Sequence, residues 1–106
     1  MEVYDVQTRP EALQDLEEIV TNLSKTSFQT AIEHHDLIVE KIDSLSQMPR
    51  RYPKIMDSKL CSNEYRTMYM KNYVVIYVVR DNKVIIRRIL YAKSQYEKIL
   101  IKQEEQ

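Results

Sequence analysis

No glycine occurs in this chain of 106 residues. Every phosphate cradle built on glycine is thereby excluded. The P-loop, the dinucleotide-binding turn and the kinase loop all need backbone that approaches phosphate with no Cβ in the way. Cysteine is nearly as scarce. Cys61 alone rules out an internal disulfide framework and a cysteine-based zinc site, and a lone thiol fits a reducing compartment. The opening MEVYDVQTRP has no basic stretch leading into an apolar run, so it does not read as a signal peptide. No apolar run approaches the roughly 18 residues needed to span a bilayer. These absences predict a cytoplasmic protein that does not engage a membrane. The length predicts a single domain, 1–106, and with 43% hydrophobic residues the chain can still build one core.

An overall excess of one charge is also missing, since 16 basic residues balance 16 acidic ones. The two signs are separated along the chain. Residues 1–40 hold two basic residues (Arg9, Lys25) against nine acidic ones, a balance of −7, whereas residues 41–98 hold thirteen against five, a balance of +8. A partner feels the local field rather than the total. The second half could face a polyanion, either nucleic acid or an acidic protein segment; charges coating exposed strand faces would give the same count.

The pattern along the chain predicts an α+β fold. Residues 2–7 read as a short strand. Thr8 and Glu11 have capping-box spacing with Pro10 in the first turn, and Ala12, Leu13, Leu16, Ile19, Val20 and Leu23 then mark one apolar helical stripe. Thr26 and Gln29 offer a second box ahead of a longer stripe, Phe28, Ala31, Ile32, His35, Ile38, Val39, Ile42 and Leu45. The short turn between them predicts an antiparallel helical hairpin. Met48-Pro49 ends the second helix, and Arg50 to Pro53 reads as an extended connector. Three strands follow: Glu64 to Lys71, the almost wholly apolar Tyr73 to Arg80, and Lys83 to Tyr91 after an Asp81-Asn82 turn. They predict a three-stranded antiparallel meander in one sheet, with a face buried against the hairpin. Ser94 and Glu97 could cap a short final helix from Gln95 to about Lys102.

These residues resemble the RelE/ParE superfamily, the toxins of bacterial type II toxin–antitoxin systems and plasmid-stabilisation proteins. The resemblance rests on Ala12, Asp15-Leu16 and Ile19; on Met48-Pro49-Arg50-Arg51-Tyr52-Pro53; on Tyr65-Arg66, Tyr73, Ile76-Tyr77 and Arg88-Ile89-Leu90-Tyr91; and on Tyr96 to Leu100. It covers about residues 3 to 100. It implies an acidic, partly disordered antitoxin as partner, no cofactor and no metal, and a free protein that is a monomer or a weak dimer. It also implies one of two poisons. ParE-like members bind DNA gyrase, whereas RelE-like members enter the ribosome and cut mRNA. In some relatives the final helix is displaced or covered by the antitoxin.

The resemblance also assigns candidate residues. In a ribosome-dependent RNase the catalytic set would be Arg66, Arg88, Tyr91 and Lys93. A binding surface would draw on Arg66, Lys71, Arg87, Tyr91, Lys93 and Tyr96. Three departures weigh against the RNase. Met68 and Val74 stand where RelE-like relatives place basic residues, and Tyr91-Ala92-Lys93-Ser94-Gln95 replaces a common His-Gly-Arg-Arg-Asp. The histidines do not restore the chemistry. His34 and His35 point about 100 degrees apart on a helix; His35 lies on the apolar stripe and reads as a core residue, while His34 reads as solvent-facing. Strand alternation sends Arg87 and Arg88 to opposite faces, one exposed and one near an edge or paired with an acid. The residues thus favour a ParE-like protein-binding poison over a ribosome-dependent endoribonuclease, with a non-toxic member that still binds antitoxin as the third reading.

Overall fold

The computed structural model describes residues 2–56 and 64–104; Cys61 lies outside them. The first strand, β1 (Asp5–Thr8), alternates exposed and half-buried side chains. Pro10 then starts α1 (Pro10–Ser24), where its missing N–H costs nothing. The first expected cap is displaced: Thr8 stays in the strand, and Arg9 holds the cap position without a side-chain bond. The second moves by one residue. Ser27, not Thr26, caps α2 (Phe28–Asp43) and accepts from the Thr30 amide.

The helical stripes are wider than the surface that buries them. Ala12, Asp15 and Ile19 of α1, and Ala31, Ile38 and Ile42 of α2, are buried, and Leu45 follows in a 3-10 turn. Leu13, Phe28 and Ile32, expected in the core, are 55%, 72% and 39% exposed. The histidines are exchanged relative to expectation: His34 is half-buried and His35 is exposed. The line from Ala31 through His34 to Ile38 and Ile42 faces the sheet, and His35 lies one 100-degree step off it. The connector is not extended either. Pro49–Arg51 forms a 3-10 turn, and the Arg51 guanidinium closes it by donating to the Gln47 and Met48 carbonyls.

The meander forms as expected, with β2 (Arg66–Met70), β3 (Tyr73–Arg80) and β4 (Lys83–Tyr91) antiparallel in turn. β1 joins as a fourth strand, parallel to β4, giving the order β1-β4-β3-β2. Because β3 is central, almost every residue in it is buried. Its two faces serve two layers. Tyr73, Val75, Tyr77 and Val79 pack against the helical hairpin. Val74, Ile76 and Val78 join Tyr65, Leu90 and Ile55 on the other face, where α3 (Tyr96–Glu104) inserts Leu100. Each such Val or Ile side chain contributes about 1.5–3 kcal/mol on leaving water.

A β-bulge breaks the β3–β4 ladder. Ile76 pairs with Arg88 and Tyr77 with Ile86, so Arg87 is the unmatched residue. β1 stops opposite Ile86, and beyond that point α1 lines the edge of β4. With no glycine available, the left-handed positions among the described residues fall to Met48, Glu64, Lys71 and Asp81. Among the described residues no helix is long and apolar enough to cross a membrane.

Candidate functional site

Four of the candidate residues gather at one end of the sheet. The turn joining β2 to β3 carries Lys71 in a left-handed conformation. The Ala92 amide donates to the Asn72 carbonyl at 2.7 Å, tying the end of β4 to this turn. Lys71, Tyr91 and Lys93 therefore share one rim, with Tyr96 opening α3 just beyond. Lys71 and Lys93 are exposed, and among the described residues neither makes a hydrogen bond or ion pair. Tyr91 is 45% exposed and its ring lies 5.6 Å from that of Tyr73. Tyr69 adds a second exposed ring on β2.

Below the rim, His34 Nδ1 is 2.6 Å from the Tyr73 hydroxyl, with the two rings edge to face. Burial, and then the neighbouring Tyr91, raise the Tyr73 phenol above its ordinary range. Burial, and then the Tyr69 hydroxyl beside it, push the Tyr96 phenol well up. The rim thus presents aromatic hydroxyl side chains between two exposed ammonium groups. That surface suits a partner with carboxylates and apolar groups.

The three arginines lie elsewhere, each with protein partners. Arg66 Nη1 donates to the Arg50 and Tyr52 carbonyls at 3.1 and 2.7 Å, holding the connector to β2. Arg88 makes a two-pronged contact with Asp15, Nε to Oδ2 at 2.7 Å and Nη2 to Oδ1 at 2.8 Å. The Asp15 contact raises the Arg88 pKa. Arg87, the bulge residue, lies 5.7 Å over the Tyr65 ring. The bulge suspends strand alternation here: Arg88 pairs with Ile76, whose face also carries Tyr65, the ring under Arg87, so the two arginines are not sent to opposite faces as expected; one does pair with an acid, and the other stacks on an aromatic ring. Val74, in place of a relative's arginine, is fully buried beneath the α3 layer.

Two residues of structural weight carried little sequence signal. His34 was legible only through its spacing from Ala31 and Ile38. Asp15 is the one carboxylate among the buried residues of α1, and an acid inside an apolar stripe is the signal that marks it.

No curated protein matches this chain. A solved structure described as the chromosomal ParDE toxin–antitoxin system from P. aeruginosa shares its fold, with a TM-score of 0.73 at 17% identity over 86% of this chain and 98% of the other. The family described as the ParE toxin of the type II toxin–antitoxin system parDE matches residues 6–96, and with nearly the whole described fold inside that match, the chain belongs to this family.

Proposed function

We propose that this toxin-family chain arrests growth by binding DNA gyrase, and that an acidic antitoxin segment neutralises it. RNA cleavage would need a group to take the 2′-hydroxyl proton, cations on the charged transition state and an acid for the leaving oxygen. The observation that carries the choice is the engagement of Arg66 and Arg88: both guanidinium groups are committed to protein acceptors. Lys71, Tyr91 and Lys93 are left as an exposed rim suited to protein contact. The balance of +8 across residues 41–98 supports an acidic partner on this side, held more weakly as salt rises.

The test pairs two assays on the purified protein. Inhibition of gyrase supercoiling, with intact message in ribosome-programmed translation, supports the gyrase reading. Ribosome-dependent cleavage within the reading frame, seen by primer extension, overturns it in favour of an endoribonuclease. Uninhibited gyrase and intact message, with normal growth on induction, favour the non-toxic reading.

A further inference from the structure

The helical hairpin carries a second apolar surface, flanking the line that faces the sheet. Leu13, Leu16, Glu17, Val20 and Thr21 of α1 meet His35 of α2 around a shallow cavity of about 250 Å³. A broader depression of about 670 Å³ adjoins it along α1, where Pro10, Leu13, Gln14 and Glu18 contribute. Phe28 and Ile32 lie on the same face of α2 as His35, at helical spacing, and both are exposed. Leu13 lines both depressions, and with Phe28 and Ile32 exposed on the α2 face that carries His35, the hairpin shows more apolar surface than the scattered exposure normal for a monomer.

The charge around this groove is of one sign. Residues 10–40 hold seven acidic residues and a single basic one, Lys25. Asp15 is consumed by Arg88, and Glu11 lies beside Arg9. Glu17 and Glu18 line the depressions, and Asp36 adjoins His35. His35 sits 3.1 Å from the Asp36 carboxylate, so the only ring nitrogen in the groove wall is itself beside an acid.

We infer that this groove docks a basic amphipathic helix of a partner protein. Its apolar anchors at i, i+3, i+4 and i+7 would fill the line from Leu13 to Val20 and from His35 to Phe28, and flanking Lys or Arg would meet the acidic rim. A second copy of the chain is a poor occupant, because two such hairpins face each other with the same acids. The site is distinct from the cationic rim, so one molecule carries two docking surfaces of opposite electrostatic preference.

The probe is an 18-residue peptide of leucine and lysine at helical spacing, compared with a counterpart in which glutamate replaces lysine. Both are labelled and titrated with the full chain by fluorescence anisotropy. The lysine peptide is expected to bind saturably and at least about tenfold more tightly than the glutamate peptide. Leu13→Asp and Ile32→Asp should each abolish that binding with melting unchanged, because both positions are exposed, while Lys93→Glu should leave it intact. Equal binding of the two peptides, absence of binding, or binding that survives the groove variants overturns the inference. A dimer in sedimentation that Leu13→Asp dissolves also overturns it, by placing a second copy in the groove.

Discussion

Asp15 grips Arg88 with both carboxylate oxygens, and one of them also accepts the amide of Ile89 at 3.0 Å. One side chain of α1 therefore binds a charge and a backbone donor on β4 across 73 residues of sequence. The pair is almost wholly removed from water, with Asp15 9% and Arg88 20% exposed at the side chain. Removing one partner of such a pair strands the other.

Asp15→Ala should destabilise the fold by about 3 kcal/mol, read as a lower urea midpoint at unchanged slope. The double variant Asp15→Leu with Arg88→Leu should recover the part due to the stranded guanidinium. It should retain a deficit of about 1–2 kcal/mol, because the Ile89 amide still lacks an acceptor. Full recovery by the double variant would show that the amide contact contributes nothing.

The buried tyrosines predict an alkaline limit. Burial pushes the Tyr77 and Tyr65 hydroxyls up to about 12; the Glu104 carboxylate that accepts from Tyr65 adds to its shift. The unfolded chain loses these protons near pH 10. Stability should therefore be intact below about pH 10 and fall as pH climbs toward 12, since only the folded chain keeps the protons there. Tyr77→Phe should flatten this fall in urea midpoints taken from pH 9 to 11.5. At pH 7 the same change should cost about 1 kcal/mol, because the Pro49 carbonyl loses its donor.

A chain without glycine leaves stability to be gained where the backbone turns left-handed. Met48, with φ of 48°, and Asp81, with φ of 55°, adopt a conformation that costs an ordinary residue roughly 1–2 kcal/mol. Glycine removes that cost but adds chain entropy to the unfolded state, on the order of 0.5–1 kcal/mol. Met48→Gly should raise the melting temperature, with a net gain of about 0.5–1 kcal/mol. Asp81→Gly should gain less, because aspartate tolerates this region better than methionine.

Arg66 and Lys93 should separate stability from activity. Arg66→Ala frees the connector from β2 and should cost about 1–2 kcal/mol. Lys93→Ala should leave the melting temperature within about a degree, since an exposed side chain without partners contributes little. If the cationic rim engages the target, Lys93→Glu combined with Lys71→Glu should abolish growth arrest in an induction assay while the protein remains folded. Retained arrest by the double variant would place the target contact elsewhere.

Local chemistry made most of the fold legible. Tyr73 to Arg80 read as a central strand and Asp81-Asn82 as a tight turn, whereas the second helix, expected to run to Met48-Pro49, already ends at Asp43, and Pro49 opens a 3-10 turn instead. What escaped the sequence was long-range. Nothing local pairs Asp5–Thr8 in parallel with Lys83–Ile86, because partners so far apart share no turn. The bulge at Arg87 depends on register with Ile76 and Tyr77. The histidine assignment failed because the apolar stripe of α2 is wide enough to fit two rotations of the helix, and the sheet buries only one. The same width hid the groove, since Leu13, Phe28 and Ile32 look identical in sequence to core residues. At the candidate site, Lys71, Tyr91 and Lys93 were named from the sequence, but their convergence rests on the Asn72–Ala92 hydrogen bond.

The carboxylate of Asp15 also stands where a neighbouring strand would place its carbonyl. β1 covers β4 only as far as Ile86, and the stretch from Arg87 to Leu90 would otherwise leave its backbone donors on that side open. A single acid on a helix satisfies one of those donors, the Ile89 amide, in place of a strand carbonyl. The residue that anchors α1 thereby also takes up a β4 donor that no strand meets.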